Sequence, residues 1–107
     1  MNDKLLNFLG LCRRAGKLNI GNDLTLDDIT KGQCRLVIMA SDISKNTEKK
    51  ILVSCHRNNI KVAKLNRNKD ELSWAIGKFC VVASVTDSGF AKKLALLNEQ
   101  ENQEDTI

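Results

Sequence analysis

The chain has 107 residues, of which 42% are hydrophobic and 28% charged, so it has enough apolar residues for one folded domain and too many for wholesale disorder. No apolar stretch approaches the roughly 18 residues of a membrane span, and we expect no secretion signal at the start. The net charge is +4, but four of the 13 acidic residues lie in the last ten positions. Residues 1–97 therefore carry 17 basic and 9 acidic residues, a net charge of +8, which favours binding to polyanions such as nucleic acid.

Hydrophobic periodicity divides the chain into nine segments. Apolar residues that recur every three or four positions indicate helices, and short continuous or alternating apolar runs indicate strands. In chain order, the pattern predicts a helix over 3–15, a strand over 17–20, a helix from the turn at 21–23 to residue 31, a strand over 36–40, a helix from a cap at Ser44 or Asn46 to Arg57, a strand over 60–65, a helix over 70–76, a strand over 79–85 and a helix over 90–97.

This alternation is typical of a three-layer α/β domain, in which helices cover both faces of a central sheet. The continuous apolar runs at 36–40 and 79–85 favour buried strands, whereas lysines interrupt the run at 60–65, which favours a position nearer the edge. We expect a single domain over residues 1–97. Residues 98–107 hold four acidic and no basic residues, and we expect them to form a flexible tail.

The sequence gives little support to a catalytic or metal site. His56 is the only histidine, and no acidic residue is spaced to orient it, so a surface position is the simpler interpretation. Asp23, Asp27 and Asp28 are a candidate metal cluster, but acidic residues near a helix start more commonly interact with the helix dipole. We therefore predict no catalytic residue, no metal and no cofactor.

The four cysteines lack the close spacing of a zinc site or a redox pair, since they are 22, 21 and 25 residues apart. Each lies at or next to an apolar position. We expect reduced, buried thiols that act as small hydrophobic side chains in a cytoplasmic protein. The four residues are Cys12, Cys34, Cys55 and Cys80.

Phosphate binding is better supported than catalysis. Arg13, Arg14 and Lys17 lie around the end of the first helix. The turn at Gly21 then opens the second helix, whose first N–H groups and positive dipole end favour phosphate or base acceptors, and Lys31 lies further along it. The chain has only three Phe and one Trp, which is few for a surface on which the bases of an unstructured single strand could stack. We therefore expect the ligand to be a folded RNA.

Six stretches, taken in order, resemble one protein family. They are Phe8–Lys17 (FLGLCRRAGK), Gly21, Ile29–Gly32 (ITKG), Leu36–Asp42 (LVIMASD), Ala75–Lys78 (AIGK) and Ser84–Ala91 (SVTDSGFA). Together their order and spacing resemble the YlxQ-like bacterial branch of the kink-turn RNA-binding ribosomal proteins, of the L-seven-Ae and L-thirty-e type. The resemblance covers about residues 4–97.

The resemblance implies an α/β/α sandwich around a mixed four-stranded sheet, in agreement with the alternation above. It also implies RNA binding without catalysis. Members of the family recognise a kink-turn, which is a helix–bulge–helix with tandem sheared G·A pairs. They hold the bent RNA with the N-terminus of the second helix and the loop before the last strand, which are Gly21–Asp27 and Lys78–Cys80 in this chain.

Five residues carry over from the family as RNA contacts. Gly21 matches the family's glycine, whose missing Cβ permits close approach of RNA. Lys17 and Lys31 match two basic positions. Lys78 and Phe79 lie in the loop that the family uses before its last strand.

The remaining positions of the motif depart from the strongest RNA binders. Asn22 stands where the family often has Thr, Asp23 where it has Asn or Lys, and Leu24 where it has Glu or Gln. Asp27 stands where it has Lys, and Ser73 where it usually has Gly. An Asp–Leu pair at positions 23 and 24 also resembles the YlxQ-like branch. The motif therefore indicates a site that is either specialised or weakened for a standard kink-turn.

The sequence thus predicts a non-catalytic, cytoplasmic RNA-binding protein that docks a kink-turn-like bent RNA through the start of its second helix. The partners that the resemblance implies are structured RNA, ribosomal RNA among the candidates, and the ribosome. We expect no DNA and no membrane partner. We expect a monomer. The alternative is a protein-interaction adaptor in RNA metabolism that kept the fold but reads RNA weakly.

Overall fold

Five helices alternate with four strands in the computed structural model, which describes residues 3–104. The elements are α1 (Lys4–Arg14), β1 (Leu18–Ile20), α2 (Asn22–Thr30), β2 (Leu36–Met39), α3 (Lys45–Arg57), β3 (Val62–Lys64), α4 (Lys69–Ile76), β4 (Val82–Val85) and α5 (Ser88–Glu104). All nine predicted segments are present in the predicted order. None of the helices in residues 3–104 is long and apolar enough to cross a membrane.

The sheet is mixed, with the strand order β1-β4-β2-β3. β4 lies between β1 and β2 and is antiparallel to both, so that Val85 stands opposite Leu18 on one side and Leu36 on the other. β2 and β3 are parallel. The edge position predicted for the strand around residues 62–64 is confirmed, and both edge strands have only three residues.

Alternate side chains of the central strands supply two separate apolar layers. Leu36 and Ile38 of β2 pack among residues of α1, α4 and α5, whereas Val37 and Met39 pack among residues of α2 and α3. All four side chains are at most 1% exposed. Because each face of the sheet has its own helical cover, the predicted α/β/α sandwich with a mixed four-stranded sheet is confirmed.

Side chains and glycine fix the ends of the helices. Of the two caps predicted for α3, Ser44 is the one used, and its Oγ accepts a hydrogen bond from the Thr47 N–H at 3.3 Å. Asn68 and Glu71 form a reciprocal capping box at the start of α4. Gly77 ends α4 at a φ of 83°, a left-handed conformation that glycine adopts without strain.

α5 is longer than the sequence pattern predicts. Residues 98–104, which we expected to begin a flexible tail, continue the helix instead. Asn98 is 8% exposed, so the extension packs against the body rather than projecting from it. Residues 105–107 of the predicted tail lie outside the described residues. The predicted helix end at residue 97 was wrong. The acidic residues that follow it form ion pairs with basic residues that are distant in sequence, and these pairs hold the continued helix against the body.

Arg67 is the main such partner and joins α1 to α5. Its guanidinium donates to both Asp3 oxygens at 2.7 and 3.0 Å and to both Glu101 oxygens at 3.2 and 2.7 Å. Asp3 also caps α1 by accepting from the Leu6 N–H at 3.1 Å. The Arg67 side chain is 14% exposed, and its hydrogen bonds lower the pKa of Asp3.

Candidate nucleic-acid interface

Gly21 sets the geometry where β1 passes into α2. Its N–H donates to the Val82 carbonyl at 3.0 Å, which extends the pairing with β4, and its φ of 113° is one that side chains of L-residues rarely adopt. No side chain caps this helix start in the described structure. The first N–H groups of α2, those of residues 22–24, therefore remain available to an acceptor from outside.

A cleft of about 330 Å³ lies in front of this helix start. It forms at the edge of the sheet where β1 and β2 end, β4 begins, and α3 and α4 have their N-termini. The lining residues are Gly21, Asn22, Asp42, Ser44, Thr47, Lys69, Phe79, Val81 and Val82. Two regions that the resemblance predicted to act together, the start of α2 and the loop before β4, do meet in this cleft.

The loop before β4 presents Phe79 to solvent. The neighbouring Cys80 is 1% exposed, and its N–H donates to Ser73 Oγ at 2.9 Å, which anchors the loop to α4. Phe79 is 70% exposed although it is large and apolar. Lys78 is exposed on the same loop. The cleft therefore combines an open helix N-terminus with a ring whose surface is available for stacking.

The acidic residues of α2 do not form a metal cluster. Asp23 is exposed in the first turn, Asp27 pairs with Lys31, and the buried Asp28 accepts from Asn19 Nδ2 at 2.7 Å. No group of three potential metal ligands occurs within residues 3–104. Asp23 and Asp27 are four residues apart on one exposed face of the helix, whereas Asp28 lies on its buried face, so the three carboxylates do not converge on one point. Only Asp23 has the first-turn position expected from the dipole argument.

Lys31 lies at the far end of α2 from the cleft. Gly21 and Lys31 are the residues at the two ends of α2 and are ten positions apart, so their backbones are separated by about 15 Å along the helix. Its Nζ is 2.9 Å from an Asp27 oxygen, and this interaction raises the pKa of Lys31. The structure thus does not bring Lys31 to the start of α2. The same ion pair gives Asp27 a neighbouring cation, so its negative charge is partly balanced within the chain.

The basic residues around the end of α1 are also distributed. Arg13 Nη1 donates to the Ile76 carbonyl at 2.6 Å and so caps the end of α4, next to the loop that carries Phe79. Arg14 lines a groove between α1 and α5. Lys17 precedes β1, at the opposite end of that strand from Gly21. The basic residues that we predicted as RNA contacts near Gly21 are therefore not present as one cluster.

Lys69 and Thr47 are cleft residues that the sequence reasoning missed. Lys69 begins α4, and its backbone N–H donates to Asp42 Oδ1 at 2.9 Å, which holds the two walls of the cleft together. Neither residue belongs to a motif near Gly21 in sequence. The signal that was available is topological: a helix was predicted to follow each of the strands β2 and β3, and helices that follow neighbouring parallel strands start at the same edge of a sheet.

The histidine and the cysteines have the surroundings that we predicted. His56 is exposed in the last turn of α3. All four cysteines are buried and unpaired in disulfides. Burial raises the pKa of every thiol, to about 11 for Cys12, Cys55 and Cys80, so the reactive thiolate is disfavoured at neutral pH.

Comparison with known proteins gives a consistent family. A family model described as the ribosomal protein L7Ae/L30e/S12e/Gadd45 family matches residues 3–95. A protein from Enterococcus faecium named RNA-binding protein YlxQ is 38% identical over 96 residues, which cover 90% of this chain and 92% of that protein. A Bacillus subtilis (strain 168) protein of the same name is 39% identical over 91 residues, covering 84% and 90%.

Two solved structures have the same fold. One, described as a protein with unknown function from Bacillus halodurans, superposes with a TM-score of 0.85 at 41% identity and covers 90% of this chain and 97% of its own. The other is a Giardia lamblia 15.5 kD RNA binding protein, with a TM-score of 0.73 at 19% identity, covering 94% and 89%. At that identity the second structure bears on the fold alone.

Proposed function

Because the chain belongs to the ribosomal protein L7Ae/L30e/S12e/Gadd45 family, we propose that it binds a bent, kink-turn-like RNA at the cleft in front of α2. The observation that carries the proposal is the meeting of the uncapped α2 start at Gly21 with the exposed ring of Phe79. The relatives named RNA-binding proteins support RNA as the ligand. The role is binding rather than catalysis, in the cytoplasm and in association with ribosomal or other structured RNA.

The backbone supplies the polar contacts. N–H groups at a helix start donate to phosphate oxygens or to acceptors on base edges, and the helix dipole strengthens both interactions. Because Gly21 has no Cβ, an RNA backbone can approach the helix end closely. These contacts come from the backbone, so the departures at Asn22 and Leu24 reduce base reading without removing the anion site, whereas the Asp23 carboxylate in the first turn weakens its attraction for phosphate.

The side chains around the cleft supply stacking and charge. A bend in RNA exposes base faces that a straight duplex keeps stacked, and Phe79 offers them a surface. Lys69 and Lys78 supply positive charge on the same side of the molecule. Leu24, which is 50% exposed, offers an apolar contact at the position where the resemblance implies a hydrogen-bonding Glu or Gln in the strongest RNA binders. The expected specificity is therefore for the shape of a bend more than for a base sequence.

Two exposed aromatic residues provide a matched test. Phe79 is 70% exposed at the cleft, and Trp74 is 71% exposed on α4 outside it. Stacking of a base on an aromatic ring contributes roughly 1–3 kcal/mol, so Phe79→Ala should weaken kink-turn RNA binding by roughly 5- to 150-fold. Trp74→Ala should change it less than about twofold. Equal effects of the two substitutions would argue against this cleft.

The RNA itself needs a control. The wild-type protein should be titrated with a kink-turn RNA and with a straight duplex of equal length at several salt concentrations, using fluorescence anisotropy. We expect preference for the bent RNA and an affinity that falls as salt rises, because phosphate contacts release counterions. Equal affinity for both RNAs would contradict recognition of a bend, and a flat salt response would contradict phosphate binding.

A further inference from the structure

A second surface lies between α1 and α5, on the other side of the sheet from α2. The two helices run antiparallel, because Arg67 joins Asp3 to Glu101 at one end of α1 while Phe8, further along α1, packs on Phe90 with ring centroids 5.2 Å apart. Between them is an open groove of about 640 Å³. Two antiparallel helices with a groove along their seam present a shape into which a third helix fits.

The floor of this α1–α5 groove is apolar. Phe8 and Leu11 of α1 and Leu96 and Leu97 of α5 line it. Leu11 is 44% exposed and Leu96 is 52% exposed, so two leucines on facing helices meet solvent at one place. Single exposed leucines are common on protein surfaces. Two exposed leucines that face each other across a concave groove indicate an apolar surface whose burial by a partner is energetically favourable.

The charged residues at the rim of the groove are all basic. Lys4, Arg14 and Lys93 line it together with the neutral Asn7 and Gln100, and no acidic residue is among the lining residues that the structure describes. None of the three forms an ion pair with a carboxylate among the side chains that the structure describes; Lys93 instead lies 5.4 Å from the centre of the Phe8 ring. Lys4 and Arg14 are ten residues apart on α1, which is about 15 Å along the helix.

We propose that the α1–α5 groove binds an acidic amphipathic helix of a partner protein. A helix of about three turns spans the 15 Å between the rim cations, places leucine-like side chains on the floor and directs carboxylates to the rim. This site is separate from the RNA cleft and does not depend on it.

The chemistry of the floor favours a peptide over RNA. Bases stack on aromatic faces, but Phe8, the one aromatic residue among the described residues that line the α1–α5 groove, is half-buried against Phe90 and has a lysine over its ring. The exposed surface is aliphatic, supplied by Leu11 and Leu96, and aliphatic side chains of a helix are its natural complement. The rim charge then selects acidic helices over basic ones.

The test uses the full chain and a synthetic, fluorescently labelled 14-residue peptide with leucines at helical i, i+3, i+4 and i+7 positions and glutamates elsewhere. A scrambled peptide of equal composition breaks the apolar stripe. We expect micromolar binding of the first, at least about tenfold weaker binding of the second, and loss of affinity with salt. In NMR spectra, the methyl signals of Leu11 and Leu96 should shift on binding.

Adjacent lysines on α5 provide the matched variants. Lys93→Glu reverses a charge on the rim and should weaken peptide binding at least about fivefold, whereas Lys92→Glu, outside the groove, should change it less than about twofold. Equal effects of the two variants, equal binding of both peptides, or no binding at millimolar peptide would overturn the proposal. Shifts of the Leu11 methyls caused by RNA or by protein concentration alone would do so as well, because RNA or a second copy would then be the occupant.

Discussion

Replacing Arg67 with methionine tests how strongly one guanidinium holds α5 to the rest of the fold. Arg67→Met keeps most of the apolar stem but removes four charge-assisted hydrogen bonds to Asp3 and Glu101. Hydrogen bonds to charged groups contribute roughly 1.5–3 kcal/mol each, and breaking a fully buried pair costs roughly 3–5 kcal/mol. The three side chains are 14–30% exposed, so solvent reduces this cost. We expect a loss of about 2–4 kcal/mol in the free energy of unfolding.

The matched control is a second ion pair on the same helix. Lys61 and Glu99 are 2.6 Å apart, but their side chains are 60% and 52% exposed. Exposed pairs contribute about 0.2–1 kcal/mol because water screens both charges. Lys61→Met should therefore cost less than about 1 kcal/mol, although it also removes one positive charge that faces α5.

Urea unfolding at pH 7, followed by circular dichroism, measures both losses. A loss of 2–4 kcal/mol in a chain of this size corresponds to a fall in Tm of roughly 10–20 °C. The pH dependence gives a second measure, because the pKa of Asp3 is lowered from its ordinary 3.8 in the folded protein. The stabilisation that the Asp3 carboxylate contributes is fully present when the pH is above the ordinary pKa, and it is lost as the pH falls through the lowered pKa of the folded protein. The stability difference between wild type and Arg67→Met should therefore shrink in strong acid.

Two results would refute this reasoning. One such result is that Arg67→Met lowers the free energy of unfolding at pH 7 by no more than Lys61→Met does, which would show that partial burial does not strengthen the Arg67 interactions. If the difference between wild type and Arg67→Met stayed constant down to about pH 2, the Asp3 carboxylate would not be the group that the guanidinium stabilises.

Three further outcomes follow from local geometry. Gly21→Ala should lower the free energy of unfolding by about 1–3 kcal/mol in urea, because its φ of 113° strains any side chain even where space is open; an unchanged midpoint would show that the turn can relax. Ser73→Ala should leave the Cys80 N–H without its partner, cost about 1–2 kcal/mol and speed hydrogen exchange at that amide, and unaltered exchange would argue against the anchor. The native thiols should react slowly with Ellman's reagent at pH 8, since burial raises their pKa, and all four should react at once in denaturant; a thiol as fast as free cysteine in the native state would contradict this.

Local patterns were sufficient for most of the fold. The apolar runs over 36–40 and 79–85 identified the two central strands because strands buried on both faces lack a polar side. Gly77 marked the end of α4 for a local reason too, since a left-handed terminal residue favours glycine. The length of α5 could not be predicted from local patterns, because it depends on a contact between residues that are distant in sequence. Arg67 lies 34 residues before Glu101 in sequence, and no periodicity connects them.

The sequence predicted the backbone of the candidate site better than the positions of its basic side chains. Gly21 was identified from the turn that opens the second helix and from its match to the family's glycine, and the structure places it in the cleft beside Phe79. Arg13, at the end of the first helix, and Lys31, further along the second, were expected to contact RNA. The Arg13 side chain instead caps the end of α4, and Lys31 pairs with Asp27 on the exposed surface of α2. The contact between Arg13 and α4 joins residues that are distant in sequence, so no local pattern predicts it.

The central position of β4 has a consequence for the order in which the molecule assembles during synthesis. β1 is made early, yet it pairs with β4 alone in the described sheet, and β4 ends at residue 85. Until β4 has left the ribosome, β2 and β3 can pair with each other, whereas the backbone hydrogen-bonding groups of β1 have no strand partner. Completion of the sheet thus requires that β4 has been translated, and a chain interrupted before residue 82 would lack the strand that joins β1 to β2 and β3.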